Sequence, residues 1–192
     1  MRIARLLCCA AVLAAANAQP AEATPGSHAA AASAEAKRLP AVQRLERRFL
    51  QITAANLRFQ AEASRLALTR SGNPAVKDLA NTLLARQQKS HPELIRLLDA
   101  RGMALPIPTN GHGKVLRQLG KLSGAKFDRF YVDEVVTVSS KEDIANCEKM
   151  AAQAEDPVLK AWVERQLPVL RFQVAKAGRA LPADSLRGHR AG

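Results

Sequence analysis

The sequence predicts an all-α protein. Four long stretches between Leu39 and Leu181 carry apolar residues at steps of three and four, the period of an amphipathic helix. Aromatic residues make up only 4% of the chain, Ala and Leu are abundant, and the β-branched residues are scattered rather than alternating, which disfavours sheet. With 192 residues the chain suits one domain with a substantial core, and four apolar stripes of this kind pack as a four-helix bundle.

The N-terminus follows the export pattern. Arg2 and Arg5 precede an apolar run from Leu6 to Ala16, and Ala16-Asn17-Ala18 offers small residues for cleavage before Gln19. The run is too short to span a bilayer, which takes about 20 residues, and no later segment could span one either. Arg5 and Leu7 before Cys8, and Leu6-Leu7-Cys8 before Cys9, are poor matches to a lipidation signal. The expected organisation is a signal peptide over 1–18, a flexible tether over 19–38, a helical domain over 39–182 and a disordered basic tail over 183–192. Cleavage would leave Cys147 as the sole thiol, a small hydrophobe in line with Ile144 and Ala151 rather than half of an intramolecular disulfide.

The first helix should run from Pro40 to Thr69, its seam passing through Val42, Leu45, Phe49, Ile52, Asn56, Phe59, Ala63 and Leu66. Ser71-Gly72-Asn73-Pro74 is a turn, and Asn73-Pro74 caps the next helix. That second seam reads Val76, Leu79, Leu83, Gln87, Ser90, Leu94 and Leu97 and stops at Gly102; Pro92 should kink or break it near Lys89 to His91. A crossover with Pro106 and Pro108 leads to a short extra helix from Lys114 to Leu122. The third long helix, Ala125 to Ala154, uses Phe127, Tyr131, Val135 and Val138 and then shifts phase to Ile144, Cys147 and Ala151, so a π-bulge or a change of buried face is expected around Val138 to Ser140. Asp156-Pro157 caps the fourth, with Leu159, Trp162, Val163, Gln166, Leu170, Gln173, Ala177 and Leu181 facing inward and a bend expected at Pro168.

Each stripe is interrupted by an uncharged polar residue: Gln60, Gln87, Ser140 and Gln173. A bundle that holds metal does so with inward Glu and Glu-x-x-His, and the chain has no Glu-x-x-His. The neutral residues suit a hydrogen-bonded polar layer or, as a less favoured reading, a small-molecule pocket. Asp133, Glu134, Glu142 and Asp143 read as a solvated charge run. His91 and His112 lack partners at ligand spacing, and no Ser-His-Asp order, phosphate loop or zinc motif occurs. No catalytic residue, metal site or cofactor is expected.

Several stretches carry a resemblance: Phe49-Leu50-Gln51, Phe127-Asp128-Arg129-Phe130-Tyr131, Cys147-Glu148-Lys149, Asp156-Pro157-Val158-Leu159-Lys160-Ala161-Trp162 and Leu167-Pro168-Val169-Leu170. Together they resemble the signatures of an exported bacterial ferritin-like family catalogued as domain of unknown function forty-one forty-two, often labelled predicted outer membrane protein. The resemblance covers Phe49 to Leu181 and implies a ferritin-like four-helix bundle in the cell envelope with no assigned activity. It further implies a Glu in the first helix, an Asp-His pair in the second, and a His in each of the third and fourth. Those positions fall on Gln60, on Arg86 and Gln87, on Ser140 or Ser139 depending on the direction of counting, and on Gln173. The implied titratable quartet is thus neutral in this chain, and amides and hydroxyls are poor transition-metal ligands.

Net charge is the other clue. The chain carries +12, and loss of Arg2 and Arg5 with a leader would leave +10. Clusters such as Lys37-Arg38, Arg44, Arg47-Arg48 and Arg187 to Arg190 favour anionic envelope components, lipid or lipopolysaccharide, as partners. With a single Tyr and a single Trp there is no stacking platform for nucleic acid. The expected function is a non-enzymatic binding or structural role at the envelope or in the periplasm; the alternative is a metal-binding ferritin-like redox or storage protein.

Overall fold

The computed structural model describes residues 39–107 and 109–181, and the expected leader, tether and tail lie outside them. Among the described residues all regular structure is helical. The helices are α1 (Ala41–Arg70), α2 (Pro74–Asp99), α3 (Asn110–Leu119), α4 (Gly124–Phe130), α5 (Ser139–Gln153) and α6 (Pro157–Ala180). A π-helical segment, Tyr131–Val138, joins α4 to α5 without a break. None of these helices is long and apolar enough to cross a membrane.

Local chemistry sets most of the boundaries. Asn73 accepts the Ala75 N–H at 2.9 Å with Pro74 in the first turn, and Asp156 accepts the N–H groups of Val158 and Leu159 at 2.7 and 3.3 Å with Pro157 in the same place. Helix α2 ends in a Schellman motif. The Met103 N–H reaches the Leu98 carbonyl at 3.0 Å, the Gly102 N–H reaches that of Asp99 at 2.9 Å, and Gly102 takes the φ of 60° that this closure demands. Thr109 starts α3 by accepting the His112 N–H, so the crossover helix begins four residues earlier than its apolar pattern indicates and ends at Leu119.

Neither internal proline interrupts its helix: α2 runs through Pro92 and α6 through Pro168. Gln88, Lys89 and Pro92 are all exposed, as are Glu164, Arg165 and Pro168, so both prolines lie on the solvent side of their helices, where water can serve a carbonyl that loses its donor. Of the kink or break expected near Lys89 to His91, the break does not occur. Ile52, placed on the first seam, is also partly turned out, at 37% exposed.

Helix α1 packs along α2, α5 along α6, α2 against α6, and α1 against α5, while α3 lies on α1. The apolar core forms two separate clusters. One, toward the Ser71–Asn73 turn, includes Ala67, Leu79, Leu83, Phe127, Tyr131, Val135 and Ala177. The other, toward the Ala100–Met103 end, includes Leu50, Leu57, Leu94, Leu98, Met150, Trp162 and Leu170. Each fully buried Leu contributes about 1.5–3 kcal/mol, so the clusters supply the cohesion. Between them lies a layer of polar side chains.

Candidate functional site

The polar layer is assembled from three helices. On α1, Asn56 and Gln60 stand one turn apart. The Asn56 amide donates to Asp143 Oδ1 at 2.8 Å, and Gln60 Nε2 donates to Ser139 Oγ at 2.7 Å and Asp143 Oδ2 at 3.1 Å, tying α1 to α5. Arg86 on α2 donates to Gln60 Oε1 at 3.0 Å, and its Nη1 lies 3.7 Å from Asp143 Oδ2. The side chains of Arg86 and Asp143 are only 3% and 5% exposed.

Helix α6 passes the same level. Ser90 donates to Gln166 at 3.0 Å on one side and Lys176 donates to Thr82 at 2.7 Å on the other, which puts Gln173 between them along the axis. Next to the layer, Ser64 joins the Gln60 carbonyl at 2.6 Å and the Tyr131 hydroxyl at 2.8 Å. Burial pushes the Tyr131 phenol far above its usual range, against the weaker pull of the Ser64 bond.

The electrostatics follow from burial. Desolvation pushes the Arg86 guanidinium down from its usual value, opposed by the Asp143 carboxylate. Desolvation pushes the Asp143 carboxyl up, opposed by Arg86 and by the Asn56 and Gln60 amides. Each charge is therefore tolerated only because the other is present. Cys147, one turn further along α5 and 2% exposed, is pushed up to about 12 by burial and by Asp143, so its thiol stays protonated and inert at neutral pH.

Gln60, Ser140 and Gln173 are buried, whereas Gln87 is only half-buried. Gln87 instead lines a groove of about 370 Å³ between α1 and α2 with Arg58, Glu62, His91 and Leu105. Steps from Leu83 to Ser90 pass equally well through residue 86 or 87, and choosing the uncharged one misses the inward Arg86. Asp143, read as part of a solvated run, is likewise at the centre; it stands on the seam from Val136 through Ser140 to Cys147 and Met150. These two corrections change the character of the layer from neutral to ion-paired.

The π segment explains the two ways of counting to the third helix. Its wider turns bury Tyr131 with Val132 and Val135 with Val136. Ser139 and Ser140 then both enter the interior at the start of α5. Ser139 accepts from Gln60; Ser140 Oγ, Arg86 Nε and both amide atoms of Gln173 have no partner among the described residues. His112 is not isolated either. It stacks on Phe59 at 4.4 Å with 7° between the rings, and burial pushes its pKa down against the pull of Asp143, Glu142 and Glu62.

Ferritin-like bundles hold their metals with several carboxylates and imidazoles. The layer here offers one carboxylate, already paired with a guanidinium, among amides and hydroxyls. That donor set does not fit a transition metal.

Residues 25–180 match the model of a family described as Domain of unknown function (DUF4142). Among solved structures, the crystal structure of a conserved hypothetical protein, rv2844, from Mycobacterium tuberculosis is similar, with 17% sequence identity and a TM-score of 0.54 over 74% of this chain and 91% of that one. At that identity the likeness speaks for the helical fold alone. No curated protein matches the chain.

Proposed function

The chain belongs to this family of unknown function, DUF4142, and from that premise we propose that it is an exported, ferritin-like four-helix bundle of the cell envelope with a non-enzymatic binding or structural role. One observation carries the reading: the Arg86 guanidinium lies in the bundle centre beside Asp143 and Gln60, with its side chain 3% exposed. A fixed internal cation neutralises the carboxylate that a metal would need and repels a second cation. The pair, its amide donors and Ser139 then serve as a polar layer that holds α1, α2 and α5 in register. The leader pattern at 1–18 supports export, and the net charge of +12 supports anionic lipid or lipopolysaccharide as partner rather than a metal substrate. The alternative, a metal-binding redox or storage protein, finds no support in this donor set.

The test is metal content by mass spectrometry, on protein recovered from the periplasm without chelator and again after exposure to iron, manganese, copper and zinc. The expected result is recovery in the periplasmic fraction with no stoichiometric metal. One equivalent or more per chain would overturn the reading.

A further inference from the structure

Three grooves among the described residues are similar in size, and the engagement of their polar groups separates them. In one of about 410 Å³, Arg101 is held by Glu46 and Asp156, and Arg47 donates to the Arg101 carbonyl at 2.6 Å. In another of about 380 Å³, Arg165 meets Glu93 at 3.6 Å and Arg101 again meets Asp156. The groove of about 370 Å³ between α1 and α2 is different. Arg58 Nε donates there to Glu62 Oε1 at 2.9 Å, an exposed pair on adjacent turns that contributes little to stability. The side chains of Arg65, Gln87 and His91, which also line it, make no hydrogen bond or ion pair to a described residue. Gln87 and His91 stand one turn apart on α2, both half-buried, and Arg58 and Arg65 stand two turns apart on α1. Ala54 and Ala61, 7% and 2% exposed, form a floor of methyl groups too small to fill the space above them. Leu105, 53% exposed, and Pro106 close one side from the crossover loop. Apolar surface with a few convergent polar groups is the composition of a small-molecule cleft, and the volume falls within the range of such clefts, about 300–1,000 Å³.

We infer that this groove binds a small monocarboxylate with a short apolar body. A guanidinium presents paired N–H donors that match a carboxylate, and Arg65 is the guanidinium here with no carboxylate of its own. Gln87 and His91 face it from α2 with further N–H donors. Two guanidiniums stand against the single carboxylate of Glu62, an excess of one positive charge apart from His91. A monoanion neutralises that excess, whereas a phosphate dianion exceeds it and meets Glu62 as a like charge. Leu105, Pro106 and the two alanines shelter the apolar body from water. The inference goes beyond the envelope reading and is independent of it, since neither export nor metal content enters its test.

The experiment is residue-resolved proton–nitrogen NMR of the full chain titrated with hexanoate, with hexanamide as the neutral isostere and hexyl phosphate as the dianion. The unaltered protein is compared with Arg65→Gln and with Arg48→Gln, an exposed arginine outside the groove whose loss gives the same net charge. Hexanoate is expected to shift the backbone amides of Arg58, Arg65, Gln87, His91 and Leu105 saturably, with binding anywhere else in the chain seen apart from these. Hexanamide on the unaltered protein, and hexanoate on Arg65→Gln, should each bind about tenfold or more weakly, the worth of a charge-assisted hydrogen bond. Arg48→Gln should keep the unaltered affinity. The hexanamide comparison needs no variant to fold, and the variants' own spectra check that their structure is kept. Absence of saturable shifts at the groove, equal affinity for hexanoate and hexanamide, or equal losses in the two arginine variants would overturn the site. Tighter binding of hexyl phosphate than of hexanoate would overturn the monocarboxylate assignment.

Discussion

Two arginines meet carboxylates inside this molecule, one at the end of the bundle and one in its middle, and their surroundings differ. Arg101 pairs with Glu46 at 3.4 Å and also with Asp156, and it donates to the Leu97 carbonyl at 3.0 Å. Glu46 in turn accepts the N–H groups of Glu155 and Asp156 at 3.1 and 3.2 Å, while Asp156 caps α6. That cluster closes helix ends and a loop with groups that backbone geometry leaves open. Arg86 and Asp143 close no helix end. They stand mid-helix, almost fully buried, supported by side chains alone. A charged pair in such a place is seldom retained for stability, since desolvation consumes most of what attraction supplies. What it adds is specificity: only one mutual placement of α1, α2 and α5 satisfies Asn56, Gln60, Arg86, Ser139 and Asp143 together.

The comparison can be broken by removing one member of each cluster. Arg86→Met should have the largest effect, a loss of about 3–5 kcal/mol of unfolding free energy in urea titration, because Asp143 is left as a buried unpaired charge. Asp156→Ala should cost about 1 kcal/mol, the ordinary value of an N-cap. Its deficit should also depend on pH. Burial pushes the Asp156 carboxyl up, but the Val158 and Leu159 N–H groups and Arg101 outweigh it and hold the folded pKa below the usual carboxylate value. The carboxylate's contribution is therefore complete above the unfolded pKa, about 4, and fades as pH falls through the lower folded value. Denaturation of Asp156→Ala and the unaltered protein should converge in acid and differ most at neutral pH. Gln173→Leu should have the smallest effect, within about 1 kcal/mol and of either sign, because its buried amide makes no bond to a described residue whose partner would be orphaned.

How far the sequence foretells these regions follows the same division. The long helices and their capped starts are legible because apolar spacing and the Asn73-Pro74 and Asp156-Pro157 caps are local signals, whereas the crossover helix, begun by Thr109, starts four residues before its apolar pattern. The ion pair is not, because Arg86 and Gln87 fit the α2 seam equally and Asp143 sits in an acidic run that composition assigns to solvent. Only the packing of α1 against both neighbours decides which residue turns inward. The π segment lies between these cases: its phase shift is visible in the spacing from Tyr131 to Cys147, but its burial of both Ser139 and Ser140 is not.

The central claim is that Arg86 and Asp143 form a self-neutralising structural pair, and the most direct measurement is a double-mutant cycle by equilibrium urea denaturation. The variants are Arg86→Met, Asp143→Leu and the two combined. The account predicts that each single change is strongly destabilising and that the double variant loses clearly less than the sum of the two, keeping a deficit from the Asn56 and Gln60 amide atoms that both changes leave without partners. Additive losses, with the double variant as unstable as the sum of the singles, would contradict it.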